Sequence, residues 1–411
     1  MAIDVARVRD SFPILDRQVD GHRLVYLDSA ATSLTPEPVL AAMEHYYHWS
    51  RSNVNRGVYA LAEEATDLYE GARSALAGFL DADPSGVVFT KNATEACNLV
   101  AYGHVRARLG PTDVLLSTVM EHHANLVPFI EAARALGAEI RHVPITTDGQ
   151  LDLEAAAGLL ADGRVTFAAF VHVSNVLGTI NDVARLTRMV KDANDRAVVH
   201  VDGTQAAPHL PVSVRDLGVD TYAVTGHKML GPTGIGALVA RPEVLERMAP
   251  FLTGGDMIRD VTLTGATWND IPHRFEAGTP MIAEAAGLAA AIEVLRGHGM
   301  DAVRAHERSF TGHLLDALGT VAGVTVHGPK DVDLRGGAVS FVLEGIHPHD
   351  VGAMLGSRGV CVRVGHHCAK PLLRCLDVSA TTRASGYVYN DRDDLEPLVD
   401  GLEAAAAFFA R

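Results

Sequence analysis

The chain has 411 residues, 48% hydrophobic and 21% charged, which sets up a large packed core and excludes a disordered polymer. At roughly 150 residues per domain, two or three domains are expected. The formal net charge of −15 argues against a nucleic-acid surface and an anionic membrane face.

In chain order, residues 1–20 read as a short helix and a connector. Val25-Tyr-Leu-Asp-Ser-Ala-Ala-Thr is a brief strand running into small residues that let a ligand approach the backbone. Segments 36–50 and 62–80 show helical spacing, as in Ala65, Leu68, Tyr69, Ala72, Leu76 and Phe79. The polar stretch Ser52–Gly57 between them is loop-like.

From residue 86 strands alternate with helices. Strands are predicted at Val87–Thr90, Val114–Ser117, Glu139–Pro144, Phe167–Val173, Val198–Val201 and Thr221–Thr225, with helices such as 123–136 and 184–195 between them. Wholly apolar runs separated by helices imply a mostly parallel sheet covered on both faces. Residues 234–240 form one more strand, a candidate to run antiparallel.

After a helix at about 281–296 the rhythm changes. A helix near 300–320 is followed by strands at Val324–His327, Ala338–Leu343 and Val360–Val364. The last helix is expected to open with a capping box of Asp393 and Glu396. This is a smaller α+β domain, expected to share a long helix near 281–298 with the large one.

No apolar run approaches the roughly 20 residues of a bilayer span. The first ten residues carry no signal-like apolar stretch, so the expected location is the cytoplasm. The four cysteines are too few and scattered for a disulfide framework and are expected as reduced thiols.

Three stretches carry chemistry. The predicted strand at 198–201 ends in Asp202, and the next strand delivers Thr225-Gly-His227-Lys228. A carboxylate and a lysine at adjacent strand ends, on the edge where α/β sheets bind ligands, form a pattern for pyridoxal phosphate. That cofactor needs a lysine for its aldehyde and a carboxylate against its ring nitrogen. Asn92, with Glu95 as capping partner, starts a helix whose free amides at Ala93 and Thr94 suit a phosphate. The hydroxyls of Thr94 and Thr225 and a donor from His227 would add to it; an ordinary capped helix is the equal alternative for that stretch alone.

Glu121-His122-His123-Ala-Asn125 follows a strand, and an imidazole there can lie on the ring and move protons near neutral pH. Neither this pair nor His366-His367-Cys368 has a matching His/Cys set at metal-ligand spacing. Adjacent extended residues also chelate one ion poorly, so no metal is expected.

These motifs, with Tyr26-Leu-Asp-Ser-Ala-Ala31, Asn55-Arg-Gly57, His172–Thr179, Gly231-Pro-Thr-Gly234, Arg274–Pro280, Arg363–Pro371 and Thr382-Arg-Ala-Ser385, occur in one order. The chain resembles the class V aminotransferase-like enzymes of fold type I. Within them it looks like the group II (Suf-type) cysteine desulfurases, with selenocysteine lyases close by. The resemblance implies a fold type I α/β architecture: a large domain (21–290) with a mostly parallel seven-stranded sheet, a smaller α+β domain (291–411), and an N-terminal segment (1–20) packed with the small domain.

Carried over residue by residue, the resemblance makes Lys228 the Schiff-base lysine and proton shuttle. Asp202 pairs with the pyridine nitrogen, Gln205 contacts the ring hydroxyl, and His122 stacks on the ring. Asn175 and Arg383 hold the substrate carboxylate, a task suited to a guanidinium's planar fork. Thr279 reaches a neighbouring subunit's phosphate, which implies a homodimer. Cys368 is the persulfide-forming nucleophile, with His366, His367 and Arg363 expected to favour its thiolate. Cys97, Cys361 and Cys375 are expected to be buried, inert thiols.

Asn55 departs from the family, which has a histidine near the substrate end. Thr225 and Ala93 replace a commoner serine and threonine. The implied reaction converts L-cysteine to L-alanine and passes persulfide sulfur to an acceptor, for iron–sulfur cluster assembly or another sulfur-transfer pathway. The segment Gly345-Ile-His347-Pro-His349-Asp350 resembles the one that engages a zinc-containing, SufU-like acceptor; a generic helix N-terminus is its bland alternative. The competing readings are a selenocysteine lyase acting on L-selenocysteine, a dedicated biosynthetic C–S lyase, and a non-catalytic sulfur-transfer scaffold.

Overall fold

The computed structural model describes residues 3–55 and 57–409; Arg56, the middle of the Asn-Arg-Gly motif, lies outside them. Seven strands form the large sheet: β1 (Val87–Thr90), β2 (Val114–Thr118), β3 (Glu139–Val143), β4 (Val165–Val171), β5 (Val198–Asp202), β6 (Thr221–Thr225) and β7 (Gly236–Ala240). Their spatial order is β1-β7-β6-β5-β4-β2-β3. The pairs from β6 through to β3 are parallel, and β7 runs antiparallel to both β1 and β6, as the sequence suggested.

The apolar runs exist because both faces are covered. Val87, Phe170, Val201, Val224 and Val239 enter one core, while Val88, Phe167, Ala223 and Leu238 enter the core on the opposite face. Period-two alternation places neighbours on opposite sides of a sheet, so the central strands carry apolar residues on both faces. Helices α1 (Ala60–Phe79), α2 (Ala93–Val100), α3 (His123–Leu136) and α4 (Ile282–His298) cover it.

The register aligns the carboxyl ends of the strands. Asp202 lies beside Val171 on β4 and Ala223 on β6, and Thr225 lies opposite Gly236, which lies opposite Thr90. Gly236 is required there, because a Cβ would come within 2.6 Å of the Val224 carbonyl and 2.8 Å of Asn92 Cα. The absence of that side chain lets the turn before α2 close over the sheet edge.

The C-terminal part is built on α5 (Met300–Thr320), an antiparallel sheet, α6 (Pro348–Gly356), α7 (Lys370–Cys375) and α8 (Leu395–Phe409). The sheet comprises β8 (Val324–Val326), β9 (Ala338–Leu343), β10 (Arg363–Gly365) and β11 (Thr381–Ser385), in the order β8-β9-β11-β10. Its core gathers Phe310, Leu314, Phe341, Leu355, Leu398 and Leu402, and also takes in Val25 and Leu27.

Several boundaries differ from expectation. The strand expected at 360–364 is two pieces: Val360–Cys361 pairs in parallel with Val25–Tyr26, and Arg363–Gly365 pairs with β11. Strand β11 and the exposed hairpin Ile258–Thr262/Gly265–Trp268 carry no apolar run and were not predicted. The capping box before α8 is Asp391 with Asp394, not Asp393 with Glu396. At α2, Asn92 accepts from Glu95 N at 3.0 Å as expected, but Glu95 reaches back to Lys91 N at 2.6 Å.

Candidate active site

A cavity of about 210 Å³ opens at the carboxyl ends of the parallel strands. It is lined by Asn92, Ala93, Thr94, His122, Val171, Asn175, Asp202, Thr204, Gln205, Thr225, His227 and Lys228, among others. The first amides of α2 have no intrahelical partner by construction, and Ala93 and Thr94 bring that end of the helix to the cavity wall. Thr225 Oγ1 and Thr204 Oγ1 are buried there and find no hydrogen-bond partner among the described residues.

Lys228 ends a short turn after β6, and a stretch near the N-terminus braces that turn. The main-chain oxygen of His227 accepts from Ser33 N at 2.9 Å and from Thr32 Oγ1 at 3.0 Å. Leu230, at φ 62°, donates its N–H to Ser33 Oγ at 2.9 Å. Gln205 Nε2 donates to the Ala30 carbonyl at 2.7 Å, leaving its oxygen for a ligand. The small residues after Tyr26 therefore build the floor under Lys228. Burial pushes the Lys228 ammonium down to about 8, against the opposing pull of Asp202. His227 is likewise lowered to about 4 by burial and by Lys228.

Asp202 Oδ1 accepts from Thr204 N at 3.0 Å, which turns the carboxylate at the strand end. The next residue must be Gly203, since a Cβ would fall 1.9 Å from the Tyr222 ring.

His122 is the N-cap of α3, its Nδ1 accepting from Ala124 N at 3.1 Å. Burial first, then Lys228, lowers it to about 4, so the ring is neutral at pH 7. Behind it stands Glu121, whose role no local pattern in the sequence discloses. The fully buried carboxyl accepts from Thr118 Oγ1 at 2.8 Å, Asn125 Nδ2 at 2.6 Å and Val171 N at 2.9 Å. It ties the loop carrying His122 to the end of β4.

Arg383, on β11, is 2% exposed. Its Nη1 donates to the Asn175 carbonyl at 2.8 Å and its Nη2 to Asp28 Oδ1 at 3.2 Å, while Nε is buried without a partner. Arg363 lies directly opposite Arg383 across the strand pair and is 3.9 Å from Asp28 Oδ2. Asp28 thus stands between two guanidiniums, a role the sequence did not disclose. Burial raises its carboxyl despite both arginines.

Cys368 is half-buried on the loop between β10 and α7. His367 and Cys368 both hold left-handed backbone, at φ 50° and 55°, which non-glycine residues keep only where surrounding bonds enforce it. Asn175 Nδ2 donates to the His367 carbonyl at 2.6 Å, and His123 N donates to the Cys368 carbonyl at 2.7 Å. The expected charge assistance from His367 is not what forms. Burial and Arg383 push its imidazole down to about 3, so it is neutral, and it pairs with Thr381 Oγ1 at 2.9 Å. Lys228 and Arg383 each interact electrostatically with Cys368.

Cys368, Arg363 and Arg383 are not among the residues that line the Lys228 cavity, and two further candidates stand in other recesses. Thr279 lines a separate cavity with Lys91, Glu95 and Phe251, and Asn55 lines one with Asp256 and His273. The two recesses share Tyr69, Glu276, Gly278 and Pro280. Neither residue lines this chain's own Lys228 cavity.

The other cysteines also need correction. Cys97 is buried as expected, and burial raises its thiol well above the ordinary range. Cys361 is only half-buried, and Cys375 is exposed, because α7 is a six-residue helix that buries only Leu372 and Leu373. Among the described residues no group of three or more potential ligands could hold a metal ion, and no helix is long and apolar enough to cross a membrane.

Comparison with known proteins places this geometry. The aminotransferase class-V family model matches residues 25–398. A probable cysteine desulfurase from Halobacterium salinarum is 49% identical over 99% of this chain and 98% of its own length. The cysteine desulfurase of Haloferax volcanii is 45% identical over 99% and 98%. Among solved structures, the apo cysteine desulfurase from Thermococcus onnurineus is similar at a TM-score of 0.93 and 38% identity, covering 98% of both chains. A cysteine desulfurase from Escherichia coli, solved with an S-sulfonic acid, follows at 0.89 and 37%, covering 99% of this chain and all of the other.

Proposed function

The chain belongs to the aminotransferase class-V family, and from that membership and its full-length likeness to cysteine desulfurases we propose how its own residues turn L-cysteine into L-alanine and capture the sulfur. The activity is that of a pyridoxal-phosphate-dependent cysteine desulfurase.

The residues present fit that cofactor. The unpartnered Thr225 hydroxyl and the α2 amides at Ala93 and Thr94 suit a phosphate, with His227 beside them. Asp202 offers a carboxylate to a ring nitrogen, Gln205 an oxygen to a ring hydroxyl, and His122 a neutral imidazole face. When bound, pyridoxal phosphate supplies an aldehyde carbon that joins amines and a protonated ring that stores the electron pair released at the substrate α carbon.

Arg383 holds the substrate carboxylate. Its Nε is the buried donor left without a partner, and Asp28 and the Asn175 carbonyl fix the plane of the guanidinium. Lys228, lowered to about 8, takes the α proton on Nζ and can return it nearby. Cys368 Sγ, as thiolate, attacks the substrate sulfur; the S–S bond forms as the Cβ–S bond breaks, and the Cβ carbon is protonated to the methyl of alanine. The persulfide on Cys368 then passes its outer sulfur to an acceptor thiol.

The observation that carries this reading is the anchoring of the Cys368 loop by Asn175 and His123, which follow two of the strands that form the cavity. A scaffold has no use for a thiol held there.

The finer parts of the reading have their own support. A homodimer is supported by Thr279 and Asn55 facing recesses outside their own Lys228 cavity, where they could complete a partner's site. Exposed Tyr47, Trp49, Val58, Tyr59 and Leu61 lie in the neighbouring segments. A zinc-containing, SufU-like acceptor docking near His347 and His349 is supported by their exposure and by their stacked rings, 5.3 Å apart at the start of α6. Helix α6 packs on β10, which leads into Cys368; Gly352 is required where Val364 Cγ1 would stand 2.6 Å from a Cβ. The division into a terminal segment (1–20), a large domain (21–290) and a small domain (291–411), and a cytoplasmic location, complete the proposal. Two separate sheets support the division, with Ala369, Leu372 and Tyr389 packing into the large core and Val25 and Leu27 into the C-terminal one.

The test is the purified protein assayed for alanine from L-cysteine and from L-selenocysteine in parallel, with and without zinc-containing acceptor candidates. Alanine from cysteine, stimulated by an acceptor, is expected; alanine from selenocysteine only would make the enzyme a selenocysteine lyase.

A further inference from the structure

His123 touches the nucleophile's loop twice. Its main-chain N–H donates to the Cys368 carbonyl at 2.7 Å, and its ring Nε2 accepts the main-chain N–H of Lys370 at 3.2 Å. The second bond answers a specific need. Lys370 opens α7, its N–H has no intrahelical partner, and Ala369 before it offers no side-chain cap. Pro371 has no N–H at all. The helix following the cysteine is therefore capped from a different part of the chain, by an imidazole 247 positions away.

The acceptor role fixes the ring's chemistry. Nε2 takes a hydrogen bond, so the proton of the neutral ring sits on Nδ1. Beside it, 5.7 Å between centroids, the His366 ring accepts the Cys368 N–H on its own Nδ1 at 3.1 Å. The segment around the left-handed pair His367–Cys368 is thus held at the carbonyls of residues 367 and 368, at the amide of residue 368, and at the amide of residue 370. Two of those four bonds end on His123, and the one at the His367 carbonyl comes from Asn175. The preceding residue, His122, lines the cavity, so one peptide unit joins the ring site to the clamp.

We propose that His123 is the positioning residue of the nucleophile: through its main-chain N–H and ring Nε2 it fixes residues 368–370, and so sets the Cys368 thiol relative to the cavity that His122 lines. This rests on the reading of Cys368 as the persulfide-forming thiol. His123 does not contact the reacting atoms; it acts through the loop.

The experiment compares the holoenzyme with H123A, H123N, H123Q and C368S. Glutamine can place its carbonyl oxygen near the position of Nε2, whereas asparagine mimics Nδ1 and alanine offers no acceptor. The readouts are iodoacetamide alkylation of Cys368 followed by peptide mapping, kcat and KM for alanine formation, and the cofactor's absorbance. A thiol displaced by about an ångström costs up to roughly 100-fold in rate. H123A and H123N should therefore lose at least about tenfold in kcat, with KM within roughly twofold and absorbance unchanged. Cys368 should alkylate several-fold faster in both, and H123Q should recover kcat and alkylation to within about threefold. Equal behaviour of H123Q and H123A, unchanged alkylation in H123A, or an altered absorbance accompanying the loss would each overturn the clamp. Full turnover by C368S would instead overturn the nucleophile, and the alkylation of the His123 variants would still decide the clamp separately.

Discussion

Asn175 donates its side-chain amide to the main-chain oxygen of His367 at 2.6 Å, so a residue that lines the Lys228 cavity is bonded to the loop that carries the thiol. Its Oδ1 is buried without a partner, and its own carbonyl receives Arg383. One residue thereby joins the cavity, Arg383 and the cysteine loop.

Removing that donor strands a buried carbonyl. Asn175→Ala should cost about 1–3 kcal/mol of stability and raise KM for cysteine, read from denaturant midpoints and initial rates. Asn175→Asp should be worse, because two acceptors then face each other. An unchanged midpoint in both variants would mean that the loop is held by other contacts.

Arg383 illustrates why a cation alone is insufficient. Its two anchors, Asp28 and the Asn175 carbonyl, demand a fork, which an ammonium lacks. Arg383→Lys should leave Asp28 and the Asn175 carbonyl imperfectly paired and lower kcat/KM by a factor on the order of 100 or more, consistent with about 2–5 kcal/mol for breaking a buried charged pair. Asp28→Asn should lower it less, since only one anchor weakens, and a steady-state comparison of the two variants checks the ranking.

Lys228 yields a pH prediction. Burial lowers its amine to about 8, and only the neutral amine adds to an aldehyde. Capture of pyridoxal phosphate by the apoenzyme should therefore accelerate roughly tenfold per pH unit up to about pH 8 and level off above it. Reconstitution followed by absorbance between pH 6 and 9 tests this, and a profile still rising at pH 9 would contradict it.

Glu121 yields a stability prediction of definite sign. Burial raises its carboxyl from 4.5 to about 8, so between those values the folded state binds more proton than the unfolded state. Its contribution is then fully present below about 4.5 and is lost as pH rises through about 8. Glu121→Gln removes the titration, so the variant should show a shallower decline in stability from pH 5 to 8 than the wild type. Denaturation midpoints across that range measure the difference. The variant should also be less stable at pH 5, because an amide NH₂ replaces an acceptor facing one of three donors.

The parts of the fold legible in the sequence are those where burial dictates composition. Strands buried on both faces read as unbroken apolar runs, so Asp202 and Lys228 stood out where those runs stop. The Asn92 turn was legible because capping is local. Strand β11 was not, since Thr381-Thr-Arg-Ala-Ser385 is buried by function and hydrogen bonding, not by hydrophobicity. Cys375 looked like a core thiol because helical spacing does not reveal that its helix lasts only six residues. The roles of Asp28 and Glu121 were hidden for another reason: their partners lie 355 and 50 positions away, and no local pattern encodes such a pairing. The neutral His367 is of the same kind, since only the folded surroundings decide whether a histidine beside a cysteine carries charge.

In the proposed reaction, sulfur leaves the substrate onto Cys368. This transfer is tested most directly by one turnover of the holoenzyme with L-cysteine in the absence of an acceptor or reductant, followed by alanine quantification and peptide mass mapping. One alanine per active site and one added sulfur on the peptide containing Cys368 are expected, with Cys368→Ala retaining the cofactor's absorbance but yielding no protein-bound sulfur. Added sulfur on Cys97, Cys361 or Cys375, or undiminished alanine formation by Cys368→Ala, would contradict it.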